Sequence, residues 1–105
     1  MAPSKRIEEH HSLVAALRHP LRRRILRTMS DGRETSPSEL AKELGERLSN
    51  VAYHVNVLAR CGALKAVGQR KVRGATQHLY RWSLTAAWAR EMLEQTEGES
   101  PPERP

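Results

Sequence analysis

The sequence is poor in residues on which several common classes of protein depend. It has one cysteine, Cys61, and no phenylalanine, and aromatic residues make up 4% of its 105 residues. A lone cysteine excludes an internal disulfide and a thiolate metal cluster within one chain. No apolar run approaches the roughly 20 residues of a membrane-spanning helix, and the first residues lead into charge rather than into a signal sequence. We therefore expect a cytoplasmic protein with no membrane association.

Motifs for catalysis and for cofactor binding are also missing from the sequence. It contains no glycine-rich phosphate loop, no nucleophile beside a base and no carboxylate pair in an apolar setting, so we predict neither enzyme activity nor a cofactor. Glu8-Glu9-His10-His11 is the one cluster with metal-ligand chemistry. Adjacent residues of a helix point about 100° apart, so few of these groups converge on one ion and we predict no metal site.

Acidic residues are absent from residues 63–84, which contain five Lys or Arg residues. The whole chain has 18 Lys and Arg against 12 Asp and Glu, a net charge of +6. This balance favours a polyanionic partner, with nucleic acid ahead of a membrane surface. A chain this short buries only about two-thirds of its unfolded surface, which favours a homodimer.

Four helices are predicted before residue 63. Apolar residues at helical spacing indicate the first over residues 5–16, and Pro20 opens the second, which closes at Asp31-Gly32. The third begins at Ser36, with Pro37 in its first turn and Glu39 in the capping-box position, and stops at Gly45. The fourth carries an inward stripe of Leu48, Val51, Val55 and Leu58 and ends at Gly62.

Beyond Gly62 the pattern changes to strands rich in Val, Thr, Tyr and Trp, over residues 64–72 and 76–82. The residues between them, Arg73-Gly74-Ala75, predict a hairpin, and a last helix follows from Leu84 until it fades near Thr96. The predicted fold is mainly α with a β-hairpin, a winged helix–turn–helix in the order ααααββα. We expect frayed residues 1–4, one domain over 5–97 and a disordered tail over 98–105.

The predicted fourth helix and the hairpin carry the candidate binding residues. The polar face of residues 46–61 offers Ser49, Asn50, Tyr53, His54 and Asn56. Short polar side chains suit the DNA major groove, where asparagine pairs with adenine. Arg70, Lys71 and Arg73 lie toward the hairpin tip, where arginine can contact the phosphate backbone or the minor groove. We therefore predict double-stranded DNA as the partner. Two alternatives are that this helix face is an ordinary solvated surface and that His54 is bound to a nearby backbone group.

Four segments resemble the ArsR-like bacterial repressors. The segment H-P-L-R-R-R-I-L (19–26) looks like their D-P-x-R-R-x-I-L opening, and S-E-L-A-K-E-L-G (38–45) resembles their first helix–turn–helix element. Residues 50–64 resemble the recognition helix, V-S-x-H-L-x-V-L-x-x-A-G-L, and residues 73–81 resemble the wing of one subgroup. The resemblance implies a sequence-specific transcriptional regulator, a repressor, with Ser49, Asn50, Tyr53 and His54 on its DNA-reading face and Arg73 on its wing.

The resemblance also implies a homodimer in which the first and last helices pack together. The residues expected at this interface are Ile7, Val14, Leu17, Leu84, Trp88 and Met92. Residues 38–42 lack Cys and His and residues 84–97 lack His, so the chain resembles the subgroup that senses no metal, and no pattern indicates its effector. Two alternatives stay open: a winged-helix module that binds an acidic protein or RNA, and a metal or redox sensor that uses His10 or Cys61.

Overall fold

The computed structural model describes residues 13–95, so the predicted frayed ends and most of the first predicted helix lie outside the described residues. A helical turn at residues 13–16 leads into three helices, α1 (Pro20–Thr28), α2 (Pro37–Leu44) and α3 (Leu48–Arg60). Strands β1 (Leu64–Val72) and β2 (Ala75–Trp82) follow, and α4 (Ala87–Gln95) comes last. This order of helices, hairpin and helix confirms the predicted fold class.

Local capping groups set where the helices begin and end, as predicted. Pro37 occupies the first turn of α2, and the Ser36 hydroxyl accepts a hydrogen bond from the Glu39 amide at 3.2 Å. The helix ends at Gly45, which adopts the left-handed conformation (φ 66°) that glycine accommodates without strain. The turn from α2 to α3 is therefore short and well defined, and the two helices pack against each other.

A single apolar core holds the helices and the start of the hairpin together. Its fully buried members include Leu26 of α1, Leu40 of α2, Leu58 of α3 and Leu64 of β1. Burial of such side chains contributes about 1.5–3 kcal/mol each, and this packing fixes the inner face of α3. No helix within residues 13–95 has the length and apolar character needed to cross a membrane.

Strands β1 and β2 form an antiparallel hairpin from Leu64↔Trp82 to Val72↔Ala75. Their connection is one residue shorter than predicted, because Ala75 already pairs with Val72. The two remaining residues, Arg73 and Gly74, both have positive φ (51° and 82°), as a type I′ turn requires. A backbone bridge between Thr35 and Tyr80 attaches β2 to the loop before α2.

Candidate nucleic-acid interface

The outer face of α3 is open to solvent. Ser49, Asn50, Tyr53 and Asn56 are all exposed, and Tyr53 is 61% exposed. Val51, Val55 and Leu58 are buried on the opposite side and anchor the helix to the core. The predicted polar face thus presents amide, hydroxyl and phenol groups outward from a rigid support.

Leu48 differs from the prediction that it belongs to the inward stripe. It is 51% exposed, because it is the first residue of α3 and lies at the edge of the core. An apolar side chain therefore stands at the start of the outward surface. Periodicity alone missed this position, since a helix end lacks neighbours on one side.

The prediction that His54 lies on the free polar face is wrong. Its residue is 8% exposed, because α1 packs against that side of α3. The His54 Nδ1 accepts a hydrogen bond from Arg22 Nε at 3.0 Å, and its ring centroid lies 4.3 Å from that of His19. His54 therefore joins α3 to α1 and is not part of the exposed polar face of α3.

The surroundings of both imidazoles in this cluster favour the neutral form. Burial lowers the pKa of His54, and the positive charges that His19 and Arg22 can carry lower it further. Burial also lowers the pKa of His19, with Arg22 and Arg23 adding to the effect. The hydrogen bonds also fit neutral imidazoles. His19 Nδ1 accepts a hydrogen bond from the Leu21 amide at 3.2 Å, and a protonated Nδ1 could not accept one.

This cluster predicts a loss of stability in mild acid. Because the folded-state pKa values lie below the ordinary 6.5, the unfolded chain binds protons first as the pH falls. We expect full stability above about pH 6.5 and a declining Tm below it, until the folded imidazoles also titrate. Thermal unfolding followed by circular dichroism between pH 7.5 and 5.0 measures this decline.

The matched variants for the acid prediction are His54→Gln and His78→Gln. Glutamine retains an acceptor for Arg22 but binds no proton, so His54→Gln is expected to reduce the dependence of Tm on pH. His78 is exposed on β2, so His78→Gln makes the same replacement outside the cluster of His19, Arg22 and His54. A decline of equal size in His54→Gln and the parent would contradict this account.

The hairpin presents two free-standing basic side chains near its tip. Lys71 and Arg73 are exposed, and Arg73 occupies the first position of the two-residue turn. Arg70 is exposed as well, but its Nη2 donates hydrogen bonds to a Glu39 carboxylate oxygen and to Gln77 Oε1. Part of the charge predicted for the wing is therefore already paired with α2.

A groove of about 250 Å³ separates the wing from the helices. The side chains and backbone that line it come from the start of α2, the outer side of α3 and strand β2: Ser36, Pro37, Ser38, Ala52, Asn56, Thr76, Gln77, His78 and Tyr80. Hydroxyl and amide donors beside a helix N-terminus suit an anion such as phosphate. Ser38, Thr76 and Gln77 were not predicted as site residues, although Ser38 beside the α2 N-terminus was a readable signal.

Three arginines of α1 make contacts within the protomer. Arg22 binds His54, and the Arg23 Nη1 donates to the Leu17 carbonyl at 2.7 Å. Arg24 forms an ion pair with Glu46 at 3.2 Å and also donates to the Leu44 carbonyl. These contacts fix α1 against the helix–turn–helix unit.

Two residues predicted at a dimer interface lie inside the protomer. Leu17 and Leu84 are 0% and 4% exposed, because both side chains complete the core, so the prediction that they face a partner is wrong. Val14, Trp88 and Met92 are half-buried. Ile7 lies outside the described residues.

Cys61 is a core residue, as its position at the end of α3 indicated. It is 7% exposed, its thiol donates to the Leu58 carbonyl, and burial raises the pKa of the thiol. Over residues 13–95, no three His, Cys, Asp or Glu side chains converge to hold a metal ion. His10 and His11 lie outside this range.

An outward-facing helix, a short turn before it and a basic hairpin beside it define a winged helix–turn–helix protein. Residues 17–67 match a family described as a helix-turn-helix domain. No curated protein gives a significant match. The matched residues run from just before α1 to the first residues of β1, so the match agrees with the helix–turn–helix unit of this fold.

Several solved structures share the fold over most of their length. Reduced HlyU from Vibrio cholerae has 26% sequence identity and a TM-score of 0.61, covering 89% of this chain and 90% of that one. Rv0081 from Mycobacterium tuberculosis has 25% identity and a TM-score of 0.60, covering 90% and 88%. Mb0332 from Mycobacterium bovis has 18% identity and a TM-score of 0.64, covering 92% and 86%. Mb0332 is a homodimeric winged helix-turn-helix DNA-binding domain and a possible ArsR-family transcriptional regulator.

Proposed function

We propose that this protein is a cytoplasmic transcriptional regulator that binds double-stranded DNA sequence-specifically as a homodimer. One observation carries the proposal: the exposed face of α3 lies beside a polar groove and a hairpin without acids. A helix that carries Ser49, Asn50 and Tyr53 outward has the dimensions and hydrogen-bonding groups to read base edges in the major groove.

We assign the groove and the wing tip to the phosphate backbone. Ser38, Asn56 and Thr76 offer neutral donors in the groove, and Lys71 and Arg73 offer charge at the tip. Backbone contacts hold a protein in register while base contacts carry the sequence preference. The two sets of residues therefore have different expected signatures in binding experiments.

The fold and the partly exposed apolar side chains of α4 support the proposed dimer. Trp88 and Met92 are only half-buried in the protomer, and Val14 is half-buried just before α1. The relative Mb0332 is homodimeric. We further propose repression as the outcome of binding, because ArsR-like proteins, which the sequence resembles, are repressors.

Selection of bound sequences from a random pool of duplexes tests the proposed function. A two-fold dimer is expected to enrich a near-palindrome whose half-sites lie roughly 34 Å apart, one turn of the double helix. Recovery of a single unpaired half-site would remove the dimer from the proposal. Absence of any enrichment, with no salt-sensitive duplex binding, would favour the module that binds an acidic protein or RNA.

Replacement of Arg73 by alanine is expected to weaken binding to operator and random duplexes by the same factor. Loss of one phosphate contact reduces the slope of log K against log salt by about one. Alanine retains a Cβ at the same positive φ, so the turn keeps its local strain. Fluorescence anisotropy at several salt concentrations measures both effects.

Arg33→Ala is the charge-matched control for the wing prediction. Arg33 is bound to Asp31, to Glu43 and to the Thr28 carbonyl, none of which belongs to the hairpin. Its loss removes one positive charge and is expected to leave the salt slope nearly unchanged. Equal changes in the two variants would show that net charge alone governs binding and would remove Arg73 from the interface.

A further inference from the structure

A continuous set of polar contacts joins the wing to the start of α2. The Thr35 hydroxyl donates to Glu39 Oε2 at 2.9 Å, and Arg70 Nη2 donates to Glu39 Oε1. The same Arg70 nitrogen donates to Gln77 Oε1 at 3.2 Å, across the two strands. Thr35, Glu39, Arg70 and Gln77 are called the coupling network below.

The coupling network is anchored at its Thr35 end. Thr35 is 2% exposed, and its backbone N–H and carbonyl pair with Tyr80 at 3.0 and 2.8 Å. The Glu39 amide is capped by Ser36, which fixes the first turn of α2. The Glu39 carboxylate is thus held between a buried threonine and the wing arginine.

This anchoring affects the groove described above. Gln77 lines the groove from the wing, and Ser38 and Asn56 line it from the helices. Because Arg70 is the register partner of Gln77, the contact between Arg70 and Glu39 restrains that part of the wing relative to α2 and α3.

We propose that Glu39 is a positioning residue for DNA recognition. Without touching DNA, its carboxylate holds the wing at the spacing from α3 at which the base contacts and the phosphate contacts form together. The inference rests on the proposed function, which it deepens by assigning part of the operator preference to a residue outside the interface. The Glu39 carboxylate is an unexpected group beside a DNA-binding surface, since a carboxylate repels a polyanion.

A simple charge effect and a positioning role predict different results. Removal of the Glu39 charge reduces repulsion and releases Arg70, so random-duplex binding is expected to tighten and its salt slope to rise by about one. Positioning adds a second effect: operator binding gains less, so the preference for operator over random duplex falls. We expect that ratio to fall about two- to thirtyfold, the range found for residues that act at a distance.

Glu39→Gln, Glu43→Gln and Thr35→Val test the inference. Glu43 lies on the same helix but accepts its two hydrogen bonds from Arg33, both at 3.1 Å, so its variant makes the same charge change away from the wing. Thr35→Val removes the hydroxyl donor to Glu39 without any charge change and leaves the backbone pairing to Tyr80. Anisotropy titrations with operator and random duplexes give the ratio for each variant.

The expected result is a reduced ratio in Glu39→Gln and Thr35→Val and an unchanged ratio in Glu43→Gln. An equal ratio in Glu39→Gln and Glu43→Gln would overturn the inference, because charge would then explain every change. Thermal unfolding is expected to differ little between Glu39→Gln, Glu43→Gln and the parent, since the side chains of Glu39 and Glu43 are both 43% exposed and exposed ion pairs contribute little stability.

Amide hydrogen exchange of the DNA-free protein separates this inference from the proposed function. The wing amides of residues 70–77 are expected to exchange faster in Glu39→Gln than in Glu43→Gln or the parent. If the parent binds no duplex, the proposed function fails while this difference still reports whether Glu39 restrains the wing. Identical exchange in all three proteins would overturn the positioning role by itself.

Discussion

Replacing Leu58 by alanine is expected to lower the free energy of unfolding by about 2–5 kcal/mol, the range for a large-to-small change in a packed core. Leu58 is 0% exposed and anchors α3 to the core. Since domains of this size are stable by only about 5–15 kcal/mol, the variant is expected to lose a large share of its stability. Urea unfolding monitored by circular dichroism measures the change.

Leu48→Ala is the control for this prediction, because it makes the same chemical change on the same helix. Leu48 is 51% exposed, so its truncation leaves no cavity and is expected to change stability by less than about 0.5 kcal/mol. Comparable losses in both variants would contradict the description of α3 as a helix with one buried and one open face.

Replacing Asn50 by alanine is expected to reduce the preference for operator over random duplex by about 1–3 kcal/mol, the value of a bidentate base contact. Asn50 is exposed at the start of α3, the end of a recognition helix that contacts base edges. Random-duplex binding is expected to stay as in the parent, because phosphate contacts are unaffected. Competition titrations with labelled operator measure the preference.

Asn56→Ala removes the same amide from the same helix and serves as the control. Asn56 lines the groove that we assign to the phosphate backbone, so its variant is expected to weaken operator and random binding alike. If Asn50→Ala also reduced both equally, Asn50 would have no base-reading role.

Local sequence signals predicted the elements of this fold well. Ser36, Pro37 and Gly45 satisfy the ends of α2 with groups only a few residues away, so the boundaries could be read from the sequence. The hairpin was predicted from composition, and only its turn length differed, since a two-residue type I′ turn accepts Arg73 at positive φ.

The sequence did not show which elements pack against each other, so it did not show which helix faces are covered in the folded protein. Periodicity places His54 and Leu48 around the axis of α3 but does not show that α1 covers the first and that the core ends before the second. Leu17 and Leu84 were assigned outward for the same reason. An apolar stripe shows that a face is covered and does not show whether the same chain or a partner covers it.

Glu39 shows how a correct local signal can conceal a second role. Its amide is capped by Ser36, as the capping-box spacing predicted, but its carboxylate binds Thr35 and Arg70 instead of completing the box. Arg70 is 31 residues away along the chain, a pairing that only the folded wing creates. Motif spacing does not predict contacts of this kind between elements that are far apart in the sequence.

Titration of ¹⁵N-labelled protein with a duplex selected from the random pool tests the central claim most directly. We predict that the largest amide shifts fall at Ser49, Asn50 and Tyr53 on α3 and at Arg73 on the wing. Shifts confined to α1 and α4, with the outer side of α3 unperturbed, would show that another surface binds the duplex and would contradict the account.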